Sequence, residues 1–137
     1  MSEIKQQSFE QSIPSIDAVK HVKGESVFTN DIPHTIDCLF AAVGWSKKAH
    51  AMIKSIDLRE VMKDPDVKAV VTANDIPGLN DCGAVYKGDP IFVKENGVAN
   101  YQGQPLFAIG CTSRRAALKA IKKAKIKYKT FKPIVTI

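Results

Sequence analysis

The clearest pattern of apolar and polar positions lies between Tyr101 and Lys129. The apolar run Leu106-Phe107-Ala108-Ile109 follows Pro105 and precedes Gly110-Cys111-Thr112-Ser113. A short apolar run between turn signals predicts a strand covered on both faces. Pro105 lacks an N–H for a sheet ladder and suits the first position of that strand. Thr112 or Ser113 can cap a helix. Ala117, Ala120, Ile121 and Ala124 then recur at the spacing of one helical stripe, with Lys119, Lys122 and Lys123 off it. Ile126 and Tyr128 alternate with Lys127 and Lys129, as in a strand with one wet face.

Upstream the pattern is shorter-ranged. Residues 38–45 read as a central strand, with Gly44 marking a bulge or a close approach. Trp45 is expected to bury much of its area. Residues 49–56 read as a second strand. Asp57-Leu58-Arg59-Glu60 resembles a capping box, with Asp57 as N-cap, ahead of a short helix through Met62. Asp64-Pro65-Asp66 stops that helix, because the residue before a proline avoids helical geometry. Residues 67–72 predict a buried strand. Asp75 and Asp81 sit in turn-like contexts that account for them without a cation. Residues 83–98 are loop-rich around Ile91-Phe92-Val93, and Asn96-Gly97 signals a hairpin. Near the start, residues 1–18 predict an extended polar arm. Gly24 predicts a turn, residues 26–29 a short strand, and Asn30-Asp31 a bend held by a side chain bonding to backbone. His21 is expected to be a hydrogen-bonded structural histidine. Together these give an α+β or α/β domain over residues 19–137, a mixed sheet of six or more strands with about two helices packed on it.

Composition changes this picture little. With 137 residues, the chain can bury a sizeable core. The longest apolar run, residues 39–45, is far too short to span a bilayer. The first residues have no apolar segment of the signal-peptide kind, so a cytoplasmic protein is expected. Cys38, Cys82 and Cys111 are odd in number and far apart, which argues against a disulfide framework. His21, His34 and His50 do not stand near them at metal-ligand spacing.

Charge is more informative. The net charge is +6, and residues 114–137 carry nine basic residues and no acidic one. A basic end fits nucleic acid, or else the solvated face of a helix and an edge strand. No stacking aromatics or nucleic-acid motif accompany it, which favours the solvated face. A small nucleic-acid-binding module is the alternative, and it requires affinity that falls steeply with salt. Arg114 and Arg115 stand at a helix N-terminus, where positive charge opposes the dipole. An acidic partner surface would relieve that conflict, as would solvent. No dinucleotide, P-loop, nucleophile-elbow or zinc-protease motif occurs.

The ordered motifs go further. They are His21-Val22-x-Gly24-x-Ser26-x-Phe28-x-x-Asp31-Ile32-Pro33, Ser46-x-x-Ala49-His50-Ala51-x-Ile53-x-Ser55-Ile56-Asp57, Ala69-Val70-x-Thr72-x-x-Asp75-Ile76-Pro77-Gly78-x-Asn80-Asp81, and Gly103-Gln104-Pro105 before the strand–helix–strand unit. In order and spacing they resemble the N-terminal α/β hammerhead domain of the xanthine dehydrogenase and aldehyde oxidase family of molybdenum hydroxylases. The resemblance covers about residues 16–137, and the segment from Asp75 to Asp81 is closest to the molybdopterin-binding subunit of xanthine dehydrogenases. Asn30 and Asp66 depart from the usual residues, both at turn positions.

The resemblance implies an oxidoreductase of purine catabolism, taking hypoxanthine and xanthine to urate and passing electrons through two 2Fe–2S clusters and FAD to NAD. Its molybdopterin segments and glutamate base lie downstream of the hammerhead, so no catalytic, cofactor or metal residue is carried over here. The chain reads as an inactive N-terminal piece with an assembly role. Its implied partners are the remaining molybdenum-binding domains and the iron–sulfur and FAD parts, with no membrane. Candidate contact residues are Gly103, Gln104, Pro105, Arg114, Arg115, Ile134, Val135 and Ile137. An apolar C-terminal strand left uncovered predicts that the domain self-associates.

Overall fold

A computed structural model describes residues 15–134. The described residues fall into two compact units, residues 15–36 and 37–134.

In the first unit, α1 (Ala18–Lys23) ends at Gly24, whose φ of 71° is left-handed and whose N–H bonds to the His21 carbonyl. Only glycine takes that conformation without steric cost, which is why the predicted turn terminates a helix. Residues 26–29 do not form the expected strand. Ser26 Oγ instead lies 2.8 Å from His21 Nδ1, and a 3-10 turn spans Thr29–Asp31. The Asp31 carboxylate accepts the Phe28 N–H at 3.0 Å, the local bond that the Asn30-Asp31 pair predicts. Residues 1–14 of the predicted arm lie outside the described residues.

The second unit is built in chain order from β1 (Phe40–Trp45), β2 (Ala51–Asp57), α2 (Arg59–Met62), β3 (Val67–Thr72), β4 (Val98–Ala99), β5 (Pro105–Cys111), α3 (Arg114–Ala120) and β6 (Lys125–Thr130). The strands form two three-stranded sheets, β1-β5-β3 and β4-β2-β6. This is the expected α+β hammerhead class, with one correction. Every pairing among the described strands is antiparallel, so there is no single mixed sheet. The unit β5–α3–β6 would give parallel neighbours if it stayed in one sheet. Here the helix carries the chain from the first sheet to the second, and no parallel pair results.

β5 is central because both of its faces are apolar. Leu106, Phe107, Ile109 and Cys111 are each at most 1% exposed. They pack with Ile53 of β2, Val61 of α2 and Ala117 and Ala120 of α3. Burial of a side chain such as Phe107 contributes roughly 1.5–3 kcal/mol. Ser113 caps α3, its hydroxyl accepting the Ala116 N–H. The alanine stripe faces the core, and a 3-10 turn at Ile121–Lys123 ends the helix.

Several local expectations are corrected. Trp45 is 52% exposed, because the register shifts after Gly44 as β1 reaches the sheet's end. β3 is half-exposed, since it pairs with β5 on one side and stands at the sheet edge, and β1, expected as a central strand, forms the opposite edge because β5 takes the centre. Asp57 is the last residue of β2, opposite Lys125, so Leu58 takes the N-cap position. The Asp57 carboxylate accepts the Arg59 N–H and pairs with its guanidinium at 2.7 Å. Asn96-Gly97 makes a turn, with Asn96 at φ 63° and the Gly97 N–H on the Lys94 carbonyl, but no strand precedes it. The Asn80 amide takes that place, bonding both the N–H and the carbonyl of Phe92. Among the described residues no helix is long and apolar enough to cross a membrane.

Candidate functional site

The Gly103-Gln104-Pro105 turn fastens the start of β5 to the end of β1. Gly103 has φ 94°, and its N–H bonds to the Ser46 carbonyl at 2.9 Å. The Ser46 N–H returns the bond to the Gln104 carbonyl at 2.8 Å. Gln104 is 1% exposed, and its side-chain oxygen accepts the Asn100 N–H at 2.7 Å. Its side chain therefore holds the turn from inside and is not offered to a partner. Pro105 stands opposite Trp45, half-buried, at the first position of β5.

A groove of about 950 Å³ opens beside this turn. It runs along β1 and is walled by Gly103 on one side and by Arg114, Leu118 and Lys122 on the other. Those three stand at i, i+4 and i+8, one row along α3 and the turn after it. The structure thus brings two of the predicted residues, Gly103 and Arg114, to one surface. Arg115 lies next to it, in a shallower concavity with Leu118 and Lys119. Ile134 is 96% exposed and lines a separate depression with His50 and Tyr101. Val135 and Ile137 lie outside the described residues. Trp45, Leu118 and Lys122 also line the groove and were not among the candidate contact residues read from sequence. The available signal was Leu118, an apolar residue off the alanine stripe, 55% exposed in the fold.

The ionisable groups are committed to local structure. The Asp81 carboxylate accepts the N–H groups of Gly83 and Gly88, which holds its pKa below the usual carboxylate range. Asp75 is lowered in the same way by the hydroxyl and N–H of Thr72. Asp64 is lowered by the Lys123 ammonium at 2.8 Å and by the Asp66 N–H. Burial pushes the Cys111 thiol up, and the charges of Asp64 and Asp66 add to it. Desolvation and the neighbouring Asp89 push Cys82 up as well. Neither thiol has the lowered pKa of a nucleophile. Among the described residues no three His, Cys, Asp or Glu side chains are grouped to hold a metal ion. The three free cysteines, Cys38, Cys82 and Cys111, are not brought together as the thiolate set of an iron–sulfur cluster would be.

Comparison with known proteins agrees with this architecture. Residues 23–132 match the family described as "Aldehyde oxidase and xanthine dehydrogenase, a/b hammerhead domain". The chain belongs to this family. It is 38% identical over 127 residues to a xanthine dehydrogenase of Dictyostelium discoideum, covering 93% of this chain and 9% of that protein. Aldehyde oxidase 2 of Macaca fascicularis is 37% identical over 123 residues, covering 90% and 9%. The aldehyde oxidoreductase of Desulfovibrio desulfuricans superposes with a TM-score of 0.73 at 30% identity, over 88% of this chain and 14% of that one. A Cu,Mo-CO dehydrogenase superposes at 0.74 and 24% identity, over 85% and 15%, which supports the fold alone. The hammerhead thus spans 9% of the length of the two curated relatives. Its Gly-Gln-Pro turn and the groove beside it lie within the matched residues.

Proposed function

We propose that this hammerhead domain is a cytoplasmic support and assembly element of a molybdenum hydroxylase, most specifically a xanthine dehydrogenase. The observation that carries the support role is the state of its ionisable groups. The described carboxylates with perturbed pKa values are bound into caps, turns and surface ion pairs, and none converges on the groove. What the domain offers is shape and positive charge. Molybdopterin, the iron–sulfur clusters and FAD, and the remaining molybdenum-binding domains, belong to the rest of the proposed enzyme.

The xanthine assignment is supported by the segment Asp75-Ile76-Pro77-Gly78-x-Asn80-Asp81 and by the Dictyostelium relative. In the fold that segment is a tight loop, clamped by Asp75 to Thr72 and by Asn80 to Phe92. The aldehyde oxidases match at 37% and favour aldehyde oxidation as a second reading. Deleting the coding sequence from its source cell discriminates the two. Loss of xanthine-dependent NAD reduction in the extract, with aldehyde oxidation kept, is the expected result. Loss of aldehyde oxidation alone moves the protein to the other branch.

A further inference from the structure

We propose that the edge of β1 over residues 41–44, which pairs with no described strand on that side, accepts an extended, apolar segment bearing carboxylates, which adds a strand beside β1 in the assembled enzyme. The proposal rests on the assembly role above and names the surface and the chemistry of its partner.

Sheet edges with unpaired N–H and carbonyl groups invite another strand, and proteins usually block them with charge, bulges or short length. The other edges of this domain are blocked. β6 carries Lys125, Lys127 and Lys129, all exposed. β3 has a bulge between Val67 and Ala69 and carries Lys68. β4 is two residues long. β1 has none of these devices over residues 41–44. It contains no charged residue, and its one irregularity comes at its end, between Gly44 and Trp45.

The groove lies along that edge. It is lined by consecutive residues from Ala41 to Lys47. Successive strand side chains point to opposite faces, so a groove touching every residue follows the edge and not one face. Main-chain bonds would give affinity, and the walls would set specificity. The walls carry three cations, Lys47, Arg114 and Lys122, and no carboxylate. The described ion pairs join Arg59 to Asp57, Lys63 to Glu60 and Lys123 to Asp64, leaving those three uncompensated. A second copy paired edge to edge would bring its own three cations against them. An acidic strand from elsewhere in the enzyme relieves the same charges, and also the opposition of Arg114 to the helix dipole.

Trp45 is the chain's single tryptophan and lines the groove, half-exposed, so its fluorescence reports occupancy. The test titrates the full chain with a short peptide alternating valine and glutamate. Two controls are the same peptide with lysine for glutamate, and one N-methylated on alternate amides. A saturating blue shift with the acidic peptide is expected, with binding of the lysine peptide roughly tenfold or more weaker. The N-methylated peptide gives no shift, and the double variant Arg114→Glu/Lys122→Glu reverses the charge preference. Three results overturn the proposal. They are no shift with any peptide, equal binding of the N-methylated peptide, and a blue shift that follows chain concentration alone as a dimer forms by sedimentation. The titration uses no enzyme activity, so its failure is separable from failure of the hydroxylase assignment.

Discussion

Replacing Gly44 by alanine tests the packing that holds the two ends of the groove together. A Cβ at Gly44 would overlap the ring of Phe107, against atoms Cε1 and Cζ. Phe107 is 1% exposed in the middle of β5 and borders the groove, so the added methyl must turn the ring out of its packed position or push β1 away. Gly44 does not have a positive φ, so alanine suffers no backbone strain there and the whole cost is steric. Overpacking of a well-filled core costs roughly 1–3 kcal/mol. The reduced entropy of the unfolded alanine chain returns about 0.4–1 kcal/mol. A net loss of about 1.3 kcal/mol is expected, which lowers Tm by about 5 °C for a chain of this size. Urea unfolding followed by Trp45 fluorescence measures it. Adding Phe107→Leu frees the space, so the double variant should be more stable than the sum of the single losses by about 1 kcal/mol. Wild-type stability of Gly44→Ala, or strict additivity in the double variant, would refute the close approach of β1 to β5.

Other consequences are more local. Gln104→Ala removes the acceptor for the Asn100 N–H and should cost roughly 1–3 kcal/mol in urea unfolding, whereas truncation of exposed Arg115 should change little. Asp57, Glu60, Asp64, Asp75 and Asp81 have folded pKa values depressed by ion pairs or N–H donors. Their contribution is complete above the unfolded carboxylate pKa of about 4 and is lost as pH falls through the depressed values. Tm should therefore decline on acidification below about pH 4, and Asp81→Asn should make that decline shallower. A thiol reagent should modify exposed Cys38 and Cys82 in the native protein and buried Cys111 only on unfolding, as mass spectrometry of the labelled chain would show.

The strongest sequence signals were those in which local chemistry and burial agree. Pro105 starts β5, Ser113 caps α3, and Ala117 and Ala120 face the core, as their spacing predicts. Gly44 serves as both bulge and close approach, because its missing side chain is filled by Phe107. Failures came where tertiary position decides. β3 is as apolar as a buried strand, but β5 leaves it at an edge. Trp45 is large and apolar, yet sits past the bulge where the sheet ends. α1 was hidden in a segment whose polar residues mask the i, i+3 pair Val19 and Val22. At the candidate site, Arg114 was legible as a charge at odds with its helix. Gln104 looked like a polar contact residue and proved to be an internal fastener. The groove could not be read from sequence, since β1 and α3 are far apart in the chain and meet only through the fold.

The most direct test exchanges this chain for the matched segment of the Dictyostelium xanthine dehydrogenase. If the domain is a support without chemistry of its own, the folded chimera should oxidise xanthine with a kcat close to the parent enzyme's. A chimera that folds and carries its cofactors but has lost turnover would contradict that claim.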